Sequence, residues 1–137
     1  MSISYAAAPF VGWLAAGTLK SVIQSAKSRR MQIELMSYGD LPSSHASVVC
    51  TTATLIGARA GMDTPEFALA LTMSVLFIVD AVNLRQWVGE HAKALNVLRA
   101  EQADLSPLRE RIGHNLIEIA AGIVLGVACG LLLNWMG

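Results

Sequence analysis

The chain has 137 residues, of which 54% are hydrophobic and 15% charged, with ten basic and ten acidic side chains and a net charge of zero. So little polar surface in one domain of this size excludes an ordinary soluble globule, and the charge balance gives no basic face for nucleic acid. With a mean hydropathy of +0.52, the expected class is all-α: a small polytopic membrane helix bundle, folded as a single domain over residues 1–137.

The first apolar segment runs from Tyr5 to Ile23, interrupted by Gly12 and Gly17 and ending around Lys20. No cleavable leader is expected, because the first eight residues carry no basic side chain. A basic loop with Lys27, Arg29 and Arg30 follows, and then Pro42-Ser43-Ser44-His45 at the mouth of the second segment, His45 to Ala60. That segment is rich in Ala, Thr and Ser, yet it can span inside a bundle because small residues let helices approach closely. The third segment, Phe67 to Val82, is apolar up to Asp80. It is preceded by Thr64-Pro65-Glu66, which supplies an N-cap, a proline at the first helical position and an acid in the first turn.

From Gln86 to Ala103 charges surround an apolar stripe of Val88, Leu95 and Leu98, the pattern of an amphipathic helix lying at the interface. Ser106-Pro107 offers a second helix start before a short segment leading to Gly113. The most apolar segment, Asn115 to Trp135, carries one charge, Glu118, near its beginning. Gly122, Gly126 and Gly130 form a small-residue stripe on it, for packing either within the bundle or between protomers, so a homodimer is left open. Cys50 and Cys129 fall inside apolar segments and are expected to be free thiols.

Four spans place nine of the ten Lys and Arg on one side, leaving Arg59 on the other. The positive-inside rule makes that side cytoplasmic, with both chain ends outside, as in a bacterial inner-membrane protein. Lys20, Arg29, Ser43, Ser44, His45, Asp80, Arg85, His114 and Glu118 all fall on the same side. His114 and Glu118, four residues apart, share a helix face, where a carboxylate can orient an imidazole and leave its other nitrogen free as a nucleophile. Arginine forks, a lysine and helix N-termini suit phosphate oxygens. Each feature has a plainer explanation: serines after a proline cap helices, and basic residues at span ends set topology. Their co-occurrence favours a phosphate site.

The set resembles the type 2 phosphatidic acid phosphatase superfamily, which includes vanadium haloperoxidases, and within it a divergent branch of small membrane proteins. Lys20 corresponds to the lysine of the first motif, with Arg29 as its arginine. Pro42-Ser43-Ser44-His45 resembles the Pro-Ser-Gly-His motif, with Ser44 in the glycine place. Arg85 resembles the third-motif arginine, and His114-x-x-x-Glu118 the histidine with its acidic partner, here glutamate in place of aspartate. The stretch Asp80-Ala81-x-x-x-Arg85-x-x-x-Gly89-Glu90, followed by Leu95-Asn96, is similar to the divergent branch.

The resemblance implies a cofactor-free membrane phosphatase whose substrate is a phospholipid or isoprenoid phosphate. Lys20, Arg29, Arg85, Ser43 and Ser44 would hold the phosphoryl group, His114 would be the nucleophile oriented by Glu118, and His45 the general acid. Asp80 and Glu90 would support the site. Two alternatives stand beside this: a divalent metal on Asp80 and Glu90, and a non-enzymatic binder of anions or lipids using the same basic pocket.

Overall fold

A computed structural model describes residues 4–28, 41–99, 106–110 and 115–137. After a 3₁₀ turn at Tyr5–Ala7, four helices follow: α1 (Ala8–Ser28), α2 (Ser44–Ala60), α3 (Pro65–Leu98) and α4 (Leu116–Trp135). Local chemistry explains where they begin. Ser43 Oγ accepts from the Ala46 amide at the start of α2, and Thr64 Oγ1 from the Phe67 amide at the start of α3, where Pro65 takes the first turn. Asn115 caps α4 through a reciprocal capping box with Glu118. Gly61, with φ of 104°, ends α2 in a conformation that strains any residue with a Cβ.

Among the described residues three helices are long and apolar enough to cross a membrane: Tyr5–Ala26 (the 3₁₀ turn together with most of α1), α3 and α4. Helix α2, with 17 residues, lies at the centre and packs against all three others. Its buried face is Ala46, Ser47, Thr51, Ala53 and Leu55. Close approach of backbones therefore holds the bundle more than bulky apolar side chains do, and Ala8, Leu55 and Leu133 are its small hydrophobic core.

Helices α2 and α4 run parallel along the glycine stripe. A Cβ on Gly122 would meet the Ser43 carbonyl at 2.5 Å, one on Gly126 the Cys50 Cβ at 2.7 Å, and one on Gly130 the Thr54 Cβ at 2.6 Å. The stripe is thus used inside the bundle. Ser47 reinforces the contact by donating to the Gly122 carbonyl at 3.1 Å as well as to that of Ser43 at 3.0 Å. At the other end of α2, Arg59 donates to the Leu133 carbonyl at 2.9 Å and lies over the Tyr5 ring. Cys50 and Cys129 are free thiols.

Two expectations change. The separate interfacial helix over Gln86 to Ala103 is instead the continuation of α3, which runs unbroken for 34 residues. At 1.5 Å per residue that is about 51 Å, well beyond a hydrocarbon core of about 30 Å. No glycine–proline break separates the apolar from the amphipathic part, so the helix continues past the bilayer. Residues 106–110 are not helical, although Ser106-Pro107 has the composition of a helix start. They lie against the far end of α3, where Asn96 bonds to Leu108 and Glu110.

Candidate functional site

The end of α1, the start of α2 and the middle of α3 meet at one end of the bundle. Antiparallel packing of α1 on α2 brings Lys20 to the mouth of α2, where Nζ donates to Ser44 Oγ at 3.4 Å. Lys20 is 3% exposed. A buried ammonium in so apolar a bundle is costly without acceptors, and such groups commonly mark function. One residue further along α2, the Arg85 guanidinium reaches His45 Nε2 at 3.0 Å. Arginine can only donate, so Nε2 is the acceptor and the neutral ring carries its proton on Nδ1. Lys20, Arg85 and Asp80 are all close enough to act electrostatically on this imidazole. One ring is therefore surrounded by two cations and one carboxylate from two neighbouring helices.

The two serines divide by role. Ser44 faces Lys20, whereas Ser43 is fully buried, with its amide donating to the Glu118 carbonyl at 2.9 Å and its hydroxyl spent on the α2 cap. Ser43 therefore lies beneath α4 and caps α2. Glu118 is also buried, at 6% exposure. Its Oε2 accepts from the Asn115 amide at 3.0 Å and its Oε1 from Asn115 Nδ2 at 3.2 Å. Asn115 was not among the expected site residues. Its signal was the Asn115-x-x-Glu118 spacing of a capping box.

Glu90 lies away from this cluster and pairs with Lys93 at 2.7 Å on an exposed face. Asp80 and Glu90 are ten residues apart on one continuous helix, about 15 Å along its axis, too far for both carboxylates to hold one ion. Among the described residues no group of three or more His, Cys, Asp or Glu is placed to hold a metal. His114 and Arg29 lie outside the described residues, as does the side chain of Lys27. Of the expected set, the structure brings together Lys20, Ser44, His45, Asp80 and Arg85.

Chemically, this arrangement can bind a tetrahedral anion. It offers a guanidinium, an ammonium and a hydroxyl at the positive end of the α2 dipole, beside an imidazole able to carry a proton.

The family model described as the Divergent PAP2 family matches residues 3–129. The chain is also similar to the uncharacterized membrane protein YuiD of Bacillus subtilis (strain 168), with 30% identity over 137 residues covering 88% of this chain and 87% of that protein. No solved structure matches.

Proposed function

The chain belongs to the Divergent PAP2 family, and from that membership we propose that it is an integral membrane phosphatase acting on a phosphate monoester or diphosphate of a lipid or isoprenoid. The observation that supports this most is the convergence of Lys20, Ser44, His45 and Arg85, from three helices, at one end of a membrane bundle. A lipid can present its headgroup at such a site while its tails stay in hydrocarbon.

In the proposed reaction Lys20, Arg85 and Arg29 hold the phosphoryl oxygens. His114 attacks phosphorus, the bond to the leaving oxygen breaks, and a phosphohistidine forms. His45 protonates the leaving alkoxide and then takes a proton from the water that hydrolyses the intermediate. Arg85 now occupies His45 Nε2. An arriving phosphate, a stronger acceptor than a neutral imidazole, would draw the guanidinium onto its own oxygens and release Nε2 to carry the proton. Glu118 has two acceptor positions engaged by Asn115, and its remaining lone pairs suffice to orient His114. The site would face the cytoplasm, with both chain ends outside.

The same cations suit a second reading, a membrane anion or lipid binder without turnover, because binding requires only the basic groups. The two readings separate on the histidines. Purified protein should release inorganic phosphate from a panel of lipid and isoprenoid phosphates in EDTA, and His114→Ala should abolish release while leaving orthovanadate binding in place. Release by His114→Ala at the wild-type rate would overturn the phosphohistidine mechanism. Vanadate binding without hydrolysis of any substrate would favour the binder.

A further inference from the structure

The part of α3 that continues past the bilayer carries an apolar stripe. Counted from Pro65, about 20 residues cross a hydrocarbon core of about 30 Å, which puts the far boundary near Arg85. From that level on, Leu84, Val88, His91, Leu95 and Leu98 recur at alternating spacings of four and three, and all are exposed. The four apolar members are 59, 44, 47 and 78% exposed. The buried side of α3 is Ser74, Ala81, Gly89 and Ala92, and the stripe runs beside it on an open face. The bilayer surface cannot cover that face. Helix α3 is unbroken over 34 residues, and at a tilt of about 20° its length of about 51 Å rises about 48 Å along the membrane normal. The extension therefore stands away from the hydrocarbon instead of lying along it.

The spacing is that of a coiled-coil seam, with Val88 and Leu95 at a positions and Leu84, His91 and Leu98 at d. Val88 between Leu84 and Leu98 follows the β-branched a and leucine d preference of parallel pairs. Two copies of a membrane chain insert the same way round, so their extensions run parallel, and a two-fold axis along the membrane normal sets each seam residue against its counterpart. The flanks permit this. Trp87 and Ala94 would face Ala92 and Arg99 of the other copy, with no like charges opposed, while Glu90 and Lys93 lie off the seam and pair with each other.

The area is also sufficient. Leu84, Trp87, Val88, Leu95 and Leu98 together expose on the order of 500 Å² per copy, so pairing buries on the order of 1,000 Å², enough for a specific interface. The helix already exists as the continuation of a span, so pairing carries no nucleation cost. His91 fixes the register, because a slip of one heptad would set an imidazole against leucine.

We propose that residues 84–98 of α3 pair with the same segment of a second copy as a parallel two-stranded coiled coil, making the protein a homodimer joined beside its membrane span. This does not depend on the phosphatase reading.

The experiment places single cysteines in the full-length chain, with Cys50 and Cys129 replaced by alanine, and treats membranes holding the protein with a short bis-maleimide. Val88→Cys, Leu95→Cys and Leu98→Cys should each give product of twice the 14.6 kDa chain mass, at least about fivefold more than Gln86→Cys or Lys93→Cys on the opposite side of the helix. Adding Val88→Glu and Leu95→Glu to Leu98→Cys should abolish that product. Circular dichroism should show the helical content unchanged, because both substituted side chains are exposed within one bundle. Equal product at all five positions, no product, or product joined to a different protein would overturn the homodimer. Undiminished Leu98→Cys product in the presence of both glutamates would overturn the seam.

Discussion

At the scale of single residues, the contact between Arg85 and His45 would, in the proposed reaction, tie anion binding to proton transfer. The guanidinium sits on the nitrogen that must carry a proton for general acid catalysis, so substrate would first have to attract it away. Two substitutions separate these roles. His45→Ala should lower kcat by about 10²- to 10⁴-fold, the usual yield of a positioned acid–base group, while orthovanadate still binds. Arg85→Lys should restore little of what Arg85→Ala loses in kcat/KM, because an ammonium is a point charge without the fork that spans two phosphate oxygens. Steady-state kinetics on one lipid phosphate reads both effects, and a fully active His45→Ala would remove it from the mechanism. The pair of serines shows the limit of residue-level reading. Ser43 and Ser44 are adjacent hydroxyls after a proline, and nothing local says which is exposed. In the fold the Ser43 amide bonds to the Glu118 carbonyl, and it is Ser44 that faces Lys20.

At the scale of elements, α2 is central to the bundle although its hydropathy signal is weak. Hydropathy reports exposure to lipid, and a helix enclosed by three neighbours has little of it. What α2 needs is a surface that neighbours can approach, supplied by Ala46, Ser47, Cys50 and Thr54 facing the glycines of α4. Gly126→Ala tests this packing. Alanine favours helix over glycine by about 1 kcal/mol, yet its Cβ would lie 2.7 Å from both the Cys50 Cβ and the Ser47 carbonyl oxygen. Both belong to a closely packed helix, so the clash should win, with a net loss of about 1–3 kcal/mol. A lower midpoint in thermal unfolding in detergent is the expected result, and an unchanged or higher midpoint would mean that α2 and α4 have room between them. Helix α3 carries the opposite lesson. Its apolar and amphipathic parts have different periodicities and suggest two elements, but with no breaker at their junction the backbone continues as one helix.

At the scale of the whole molecule, the distribution of basic residues and the course of the chain make one prediction together. If the bundle end with Lys20, His45 and Arg85 faces the cytoplasm, so does the extension of α3 that holds residues 106–110, and the last residues lie outside. Membrane-impermeant maleimide applied to intact cells should label Gly137→Cys and spare Val97→Cys until the membrane is opened, in a chain whose two native cysteines are replaced. The reverse pattern would invert the orientation and place the site outside. Much of this architecture was legible in the sequence: the helix starts at Ser43, Thr64 and Asn115, the most apolar spans, and the grouping of Lys20, His45 and Arg85 at one end of the bundle. These depend on side chains acting on their own backbone or on the bilayer, and such interactions are local. Tertiary structure alone decided that the glycine stripe meets α2, that Ser43 is buried while Ser44 faces Lys20, that Arg85 holds His45, and that Asn96 bonds to Leu108 and Glu110. Each of these depends on which faces of distant segments meet, and that is settled by close packing between helices, which no single segment encodes.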